Sequence, residues 1–381
     1  MTTATATDFT LLKGDAIAQL RTLDAESVHA VVCDPPYGLT TNQDPTEMLH
    51  AWLAGETYVC DEDGYDGASW DNAVPGPELW REVERVLVPG GFVLAFAATR
   101  TVGYTQLAIQ LAGLHLRDLI TWVYAPGRPA TRDLGRVAVE ETGDTSLAAQ
   151  LAGQRATLRP GYEPIVVARK PFDEGTRTIE NVLNFGVGTI NHRAITGGDG
   201  LASNVWFVHD IVCVDGDCNC DLADSDHRSH ATHLFPRTSL GGGLLTVKKP
   251  NKAERPVGPD GLTHETVKPL LLMRRLIEAV THEGQTVLDP FLGSGSTAEA
   301  ALQCGRHVIG CELVPSYWPL IEARIARFEN TEQTSSSVRR RSSGGQATSV
   351  RPHARSGRSN ERTANPGEPR QRHICKKEKI Q

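Results

Sequence analysis

The sequence lacks a hydrophobic run long enough to cross a membrane, since a spanning helix needs ~20 mostly apolar residues. Its first residues, Met1–Thr5, lack the basic region and apolar core of a secretory signal. The eight cysteines are scattered over 381 residues and do not form the dense pattern of a disulfide framework. These absences predict a cytoplasmic protein with reduced thiols and no membrane association.

Positive charge is scarce in most of the chain and concentrated at one end. Residues 331–381 contain twelve basic and four acidic residues, a net charge of +8, while the whole chain carries −7. Residues 1–330 therefore carry −15. The end segment is rich in Ser, Arg, Gly and Pro without hydrophobic periodicity, which predicts a disordered basic tail. Such a tail either contacts nucleic-acid phosphates or only keeps the protein in solution, and composition leaves both open.

Strand and helix patterns alternate through most of the remaining chain, which predicts an α/β layered sheet. A helix is predicted from about Pro77, followed by a Pro-Gly-Gly turn and an apolar strand from Phe92 to Ala97. The alternation is lost between about residues 126 and 262 and resumes afterwards. The sequence therefore predicts a core interrupted by an irregular insert.

An acidic and an aromatic residue follow the first buried strand in the stretch "CDPPYGL". Ala30–Val32 is apolar, and Pro35 and Pro36 end the strand because proline fixes φ and cannot donate to a sheet ladder. Asp34 and Tyr37 then lie on a stiff turn at the carboxyl end of a strand, where ligands bind in open α/β sheets.

A glycine-rich turn, "DPFLGSGST", connects a second predicted strand to a helix from Thr297 to Cys304. The next strand, from His307, ends at Glu312. Glycines let the backbone approach a ligand closely, and an acid at the end of the next strand can bind two ribose hydroxyls. The third glycine of the dinucleotide fingerprint and the lysine of a P-loop are both missing. This pattern predicts a nucleoside cofactor without a bound pyrophosphate.

The order of these motifs resembles that of the β-class amino-group DNA methyltransferases, which methylate adenine N6 or cytosine N4 with S-adenosylmethionine. In that family Asp-Pro-Pro-Tyr comes first, the target-recognition region follows and the glycine loop comes last. The segments "LLKGDAIAQL", "WDNAVPGPELWREVERVLVPGGFVLAF" and "HETVKPLLLM" are similar to the family as well. The resemblance implies a Rossmann-like S-adenosylmethionine-dependent methyltransferase sheet with helices on both faces, circularly permuted and interrupted by an irregular target-recognition insert.

The resemblance and the composition together divide the chain into four parts. These are a catalytic half of the core (1–125), a target-recognition insert (126–262), a cofactor-binding half of the core (263–330) and the disordered basic tail (331–381). The implied partner is double-stranded DNA, in the cytoplasm and at the nucleoid, for an enzyme of bacterial or phage type. The recognition sequence, a homodimer and a cognate restriction enzyme stay open.

The resemblance assigns catalysis to Asp34, Pro35, Pro36 and Tyr37. The Asp34 carboxylate and the Pro35 carbonyl would accept hydrogen bonds from the target amino group and raise the electron density on its nitrogen during attack on the methyl group. The target base must leave the duplex, and Tyr37 would stack on it. The prolines would hold the acceptors in place. The methyl group would move by direct displacement.

The residues that resemble the cofactor site are defined by position in the family's motifs. They are Asp289, Phe291, Gly293, Ser294, Gly295 and Thr297 in the glycine loop, Glu312 for the ribose, Asp15 near the adenine ring, and Thr266 and Lys268 in the segment that closes over the cofactor. Lys268 would pair with the cofactor's carboxylate, or is a solvated lysine at a helix start. Asp15 fits a simple helix cap equally well.

Adenine N6 is the predicted target, because family members that methylate cytosine N4 tend to carry Ser at the position of Asp34. Asp also occurs in some cytosine-N4 enzymes, which stay an alternative, as does a catalytically inactive DNA-binding relative. Methylation of cytosine C5 is excluded, since it needs a cysteine nucleophile in a Pro-Cys setting and the sequence has none.

The insert contains three cysteines close together, Cys213, Cys218 and Cys220, followed by His227, His230 and His233. These side chains could supply four tetrahedral zinc ligands. The spacing is not a standard one, however, and the neighbouring aspartates also fit a solvated loop. We predict no metal, with these cysteines as the candidates if zinc is bound.

Overall fold

The computed structural model describes residues 8–39, 45–60, 71–123, 131–158, 161–196, 199–207 and 267–329, with single positions at 255, 257 and 261. The strands are β1 (Phe9–Lys13), β2 (Val28–Cys33), β3 (Leu87–Phe96), β4 (His115–Val123), β5 (Tyr162–Arg169), β6 (Val205–Phe207), β7 (Thr286–Asp289) and β8 (His307–Glu312). The helices are α1 (Ala16–Leu20), α2 (Pro45–Ala54), α3 (Pro77–Val86), α4 (Val102–Leu111), α5 (Leu134–Thr142), α6 (Thr145–Leu151), α7 (Thr178–Phe185), α8 (His192–Thr196), α9 (Leu270–Val280) and α10 (Ser296–Gln303), followed by a helix over residues 318–329.

The described strands form one sheet in the order β1-β8-β7-β2-β3-β5-β4-β6. All neighbouring pairs are parallel except those of β5, which is antiparallel to both β3 and β4. From β2 the chain continues to β3 on one side of the sheet, whereas from β7, the neighbour of β2, it continues to β8 on the other side. The strand order thus reverses between β2 and β7, and open α/β sheets bind ligands at such a point.

Helices cover both faces of the sheet, as the sequence predicts. Side chains alternate between the two faces along a strand. In β2, Ala30 and Val32 pack in one apolar cluster with Leu272 and Leu276 of α9, while Val31 packs on the other face with residues of α3 and α4. β3, which lies between β2 and β5 with helices on both faces of the sheet, is buried along its whole length. Within the described residues no helix is long and apolar enough to cross a membrane.

The structure corrects the prediction that residues 126–262 form an irregular insert. Tyr162–Arg169 is β5, which lies between β3 and β4 in the sheet. Its residues Ile165–Ala168 are buried among the core side chains. The pattern was missed because a short apolar run between loops cannot be assigned without its pairing partners, which lie far away in the sequence. At least this part of the predicted insert belongs to the core.

A smaller correction concerns the predicted Pro-Gly-Gly turn, which lies within β3 instead of ending before it. Val28 pairs with Leu87 and Ala30 pairs with Phe92, so β3 contains an irregularity at this point. Gly90 has a φ of +82°, and a Cβ there would lie 2.3 Å from Nδ2 of Asn181. The glycine therefore permits a close approach that no other residue allows.

Candidate active site

The carboxyl ends of the parallel strands bring four acidic residues to one edge of the sheet. Asp34 follows β2, Asp289 ends β7, Glu312 ends β8 and Asp15 follows β1. Because β5 is antiparallel, its amino end lies at the same edge, where Ala97 N–H after β3 donates to the Pro164 carbonyl. This arrangement places Glu163 in the site, although its strand runs in the opposite direction.

The Asp-Pro-Pro-Tyr turn is held by two side chains from other segments. One Asp71 carboxylate oxygen accepts hydrogen bonds from the N–H groups of Tyr37 (2.5 Å) and Gly38 (3.1 Å), and the Thr101 hydroxyl donates to the Tyr37 carbonyl (2.8 Å). Asp71 and Thr101 are buried. Burial raises the pKa of Asp71, the two N–H donors oppose this rise, and the charge of Asp34 adds to it. We call Asp71 and Thr101 the clamp, because together they fix the turn that carries Asp34.

Asp34 has a donor on each carboxylate oxygen. Lys268 Nζ donates to Oδ2 at 2.5 Å, and the Tyr37 hydroxyl donates to Oδ1 at 2.8 Å. Glu163 Oε2 lies 3.4 Å from both Lys268 Nζ and the Tyr37 hydroxyl. We call these four residues the Asp34 cluster. The side chains of Asp34 and Glu163 keep 20% and 21% of their surface exposed, so a ligand can reach both carboxylates.

Opposite charges stabilise the ionised form of Lys268. Burial alone would lower the pKa of this lysine, but the carboxylates of Asp34 and Glu163 outweigh burial, and the pKa lies above its ordinary value. The ammonium group also lies 4.9 Å from the centre of the Phe96 ring. Burial and the same two carboxylates raise the pKa of Tyr37 well above the ordinary value, so its hydroxyl stays protonated. The cluster thus contains one cation and two carboxylates.

The glycine turn between β7 and α10 packs closely on the next strand. Gly293 and Gly295 have φ values of +54° and +79°, which favour glycine. Leu292 N–H donates to the Cys311 carbonyl at 2.8 Å, and a Cβ on Gly310 would lie 2.4 Å from Leu292 Cδ2. The turn therefore favours glycine at positions 293 and 295 for its own conformation, and the strand beneath it favours glycine at position 310 because a Cβ there would press on the Leu292 side chain.

Two buried carboxyl groups border this turn. Glu312 accepts hydrogen bonds from Gly293 N–H (2.7 Å) and Val314 N–H (2.8 Å), and Asp289 accepts from Phe291 N–H at 3.0 Å. Burial raises the pKa of Asp289 to about 7, against the hydrogen bonds of Thr297 and Phe291 N–H, and burial also raises the pKa of Glu312.

The predicted nucleoside cofactor fits this set of groups. The Glu312 carboxylate accepts from the N–H groups of Gly293, Val314 and Leu313 and keeps a lone pair for a ribose hydroxyl. Asp289 and Glu312 would repel a phosphate, whereas a cationic ligand would stabilise their ionised forms. The turn is therefore suited to a nucleoside that carries positive charge and no phosphate.

The other predicted cofactor residues have separate outcomes. Asp15 caps α1, where its carboxylate accepts from Ala18 N–H at 2.9 Å, and Gly14 N–H donates to the Glu312 carbonyl at 2.9 Å. Ser294 is buried, with its hydroxyl 3.3 Å from that of Ser296. Thr266 and the zinc candidates Cys213, Cys218 and Cys220 lie outside the described residues. The pairing of Lys268 with the cofactor's carboxylate stays a prediction, since in this structure Lys268 binds Asp34 and Glu163.

Three residues of the site were missed by sequence reasoning: Asp71, Thr101 and Glu163. Asp71 lies in the "WDNAVPG" segment, and Glu163 precedes the apolar run of β5 next to a proline. A carboxylate at the start of an apolar run was a usable signal. Its position at the same edge of the sheet as Asp34 depends on the antiparallel direction of β5, which the sequence alone does not reveal.

Comparisons with known proteins show which family of proteins the chain resembles. A family model for N6/N4 methyltransferases, described as DNA methylase, matches residues 28–323. Type II methyltransferase M.HindIII of Haemophilus influenzae is 28% identical over 322 residues, 79% of this chain and 90% of that protein. DNA adenine methyltransferase YhdJ of Escherichia coli is 24% identical, over 81% of this chain and 79% of its own length. Among solved structures, PvuII DNA methyltransferase (cytosine-N4-specific) has a TM-score of 0.46 and 13% identity, covering 84% of this chain and 87% of that one.

Proposed function

The chain belongs to the family of N6/N4 DNA methylases, and from this premise we propose that it methylates adenine N6 in double-stranded DNA. Membership makes it a DNA methyltransferase that takes its methyl group from S-adenosylmethionine. The choice of adenine and the roles of individual residues are the proposed part. M.HindIII carries the name of a type II methyltransferase, so we extend the proposal to a restriction-modification role.

The observation that carries the proposal is the held carboxylate of Asp34. The amino nitrogen of adenine is a weak nucleophile because its lone pair is delocalised into the ring. Hydrogen bonds from its two protons to Asp34 and to the Pro35 carbonyl would return electron density to this nitrogen as it attacks. The clamp of Asp71 and Thr101 fixes the turn before reaction, so the acceptors need not reorganise in the transition state.

Support for adenine comes from Asp34 itself and from the name of YhdJ as an adenine methyltransferase. An adenine inside a duplex is out of reach, so the enzyme would flip it out of the stack. Tyr37 donates its hydroxyl to Asp34. Its ring is the proposed stacking partner of the flipped base.

The cofactor's binding groups are proposed from the glycine turn. When bound, S-adenosylmethionine supplies an electrophilic methyl group on a sulfonium sulfur. Glu312 would bind the ribose hydroxyls with its remaining lone pairs, and Asp289 would stabilise the positive charge near the methionine part. Gly293 and Gly295 would let the backbone approach the ligand, with Phe291, Ser294 and Thr297 completing the turn.

We assign target recognition to the predicted insert without the strand β5. Within the described residues this leaves the helices α5, α6, α7 and α8 and the short strand β6. In the helical hairpin of α5 and α6, Asp133 caps α5 by accepting from Gly135 N–H at 3.0 Å. Base-edge contacts from this region would set the recognition sequence, and phosphate contacts would position the duplex.

The test is expression of the protein in cells that lack DNA methylation, followed by sequencing that detects modified bases. We expect N6-methyladenine at one sequence motif, and none with the matched Asp34→Ala variant. N4-methylcytosine at a motif would retain the family assignment and replace adenine as the target. No modified base at all, with folded protein present, would contradict the proposal.

A further inference from the structure

Glu163 places a second carboxylate beside the proposed catalytic one. Asp34 and Glu163 share the same two donors: Lys268 Nζ lies 2.5 Å from Asp34 and 3.4 Å from Glu163, and the Tyr37 hydroxyl lies 2.8 Å and 3.4 Å from them. Glu163 thus contacts both groups that hold Asp34. It reaches them because its strand, β5, is antiparallel to β3 and starts at the catalytic edge.

The charges of the Asp34 cluster add to −1 when its carboxylates are ionised and Tyr37 is neutral. Without Glu163, Lys268 and Asp34 would form a neutral pair. An ammonium that is balanced by Asp34 alone withdraws electron density from the carboxylate that must accept hydrogen bonds from the target amine. Without Lys268, on the other hand, two neighbouring carboxylates would compete for ionisation, and the pair would retain a proton.

We propose that Glu163 is a positioning residue of the methyl-transfer reaction, which shares Lys268 with Asp34 and so leaves Asp34 with negative charge for the target amine. The inference rests on the proposed function, since it assumes that Asp34 accepts hydrogen bonds from that amine. Lys268 has the reciprocal part, because it keeps both carboxylates ionised. Glu163 thus offsets the positive charge of Lys268, and Lys268 offsets the repulsion between the two carboxylates.

Other titratable groups around Asp34 do not replace this arrangement. Cys33 precedes Asp34 on β2, Asp71 binds the same turn, and Asp289 ends the neighbouring strand β7. Each of these three groups is neutral or negative. Since none of them is positive, they disfavour a second negative charge beside Asp34, so the two carboxylates depend on Lys268 to stay ionised.

The experiment compares Glu163→Gln, Lys268→Met and the double variant, with Glu180→Gln, whose side chain is 42% exposed in the first turn of α7, as a matched control. Glu163→Gln should lower kcat by ~10-fold or more, while the KM for S-adenosylmethionine changes little. Lys268→Met should move the acid limb of the kcat–pH profile upward by ~1 unit or more. In the double variant Asp34 is the single carboxylate and has no ammonium beside it. The acid limb should therefore return toward its wild-type pH, and kcat should exceed that of Glu163→Gln.

A second measurement needs neither cofactor nor DNA. Two carboxyl groups that share a proton in the folded protein have a raised pKa, so their contribution to stability is lost as pH rises through that pKa. The Tm of Lys268→Met should therefore fall from pH 5 to pH 8 more steeply than that of the wild type. Adding Glu163→Gln should remove this dependence. If Lys268→Met does not fold, Lys268→Gln replaces it.

An unchanged kcat in Glu163→Gln would overturn the inference, as would a double variant slower than either single variant. If Glu163→Gln lowers the Tm, and lowers kcat by the same factor at every pH, Glu163 only supports the fold and the inference is wrong. If the wild type methylates no DNA, the proposed function fails on its own, while the Tm measurements still test the sharing of Lys268.

Discussion

Asp34 depends on residues from four other parts of the chain. Asp71 precedes α3, Thr101 precedes α4, Glu163 is the second residue of β5 and Lys268 precedes α9. The sequence predicts Asp34 as a site residue because two prolines after an apolar strand are a local signal. It identified neither Asp71 nor Thr101, since a side chain that binds a distant backbone leaves no pattern of its own. For single residues, the sequence therefore predicts a candidate site residue such as Asp34 better than the side chains that hold it in place.

Replacing Asp34 should separate chemistry from cofactor binding. Asp34→Ala should cut methyl transfer by at least ~100-fold, the usual scale for losing one preorganised electrostatic group. Binding of S-adenosylmethionine should stay nearly intact, because the glycine turn and Glu312 lie at the ends of β7 and β8. Calorimetric titration and labelled methyl transfer to DNA measure the two effects.

The matched variant for this comparison is Glu312→Ala. Ribose contacts are similar in the ground state and the transition state, so this change should raise the cofactor's KM more than it lowers kcat. Near-normal turnover of Asp34→Ala would show that the Asp-Pro-Pro-Tyr turn is not the catalytic centre.

The clamp on the turn gives a second prediction. Asp71→Ala removes the acceptor of two N–H groups, so it should lower the free energy of unfolding by ~1–3 kcal/mol. It should also lower kcat by ~10- to 100-fold, since the turn would no longer hold Asp34 in place. Denaturant unfolding and steady-state kinetics measure these effects. Asp71→Asn is the control, because its amide oxygen still accepts both hydrogen bonds, and equal activity of both variants would contradict the clamp.

Elements with local signals agree with their predictions, whereas elements defined by pairing do not. α3 begins at Pro77 as expected, and the strand, glycine turn, helix and strand from β7 to β8 all lie where the sequence places them. Proline at a helix start and glycine in a turn act through nearest neighbours. β5 and the irregularity in β3 depend on contacts with strands far away in the sequence, so local patterns could not define them.

The packing of β8 under the glycine turn gives a prediction for these elements. A Cβ at Gly310 would meet Leu292 at 2.4 Å, so Gly310→Ala should displace the turn. Overpacking of this kind costs ~1–3 kcal/mol, and since this cost falls on the conformation of the turn that binds the cofactor, the Kd for S-adenosylmethionine should rise by roughly 5-fold or more. Calorimetry measures the Kd. Gly103→Ala in α4 is the control, because nothing lies within 4 Å of its Cβ, and an unchanged Kd in Gly310→Ala would refute the prediction.

The molecule as a whole carries its charge in a way that opposes its substrate. Residues 1–330 have a net charge of −15, and DNA is itself a polyanion. The compensating charge of +8 lies in residues 331–381, outside the described residues. We therefore regard the predicted basic tail as a contact to phosphates.

Deleting residues 331–381 should weaken DNA binding most at low salt and leave the methylated sequence unchanged. Each phosphate contact that is lost should reduce the slope of log K against log salt by ~0.9, whereas base contacts made elsewhere set the motif. Binding titrations at several salt concentrations and sequencing of methylated DNA measure the two effects. Replacing Arg339, Arg340 and Arg341 with glutamine keeps the length, so a partial reduction of the slope would assign the effect to charge. Equal slopes for all three proteins would show that the tail does not touch DNA, and an altered motif would place it in the recognition machinery.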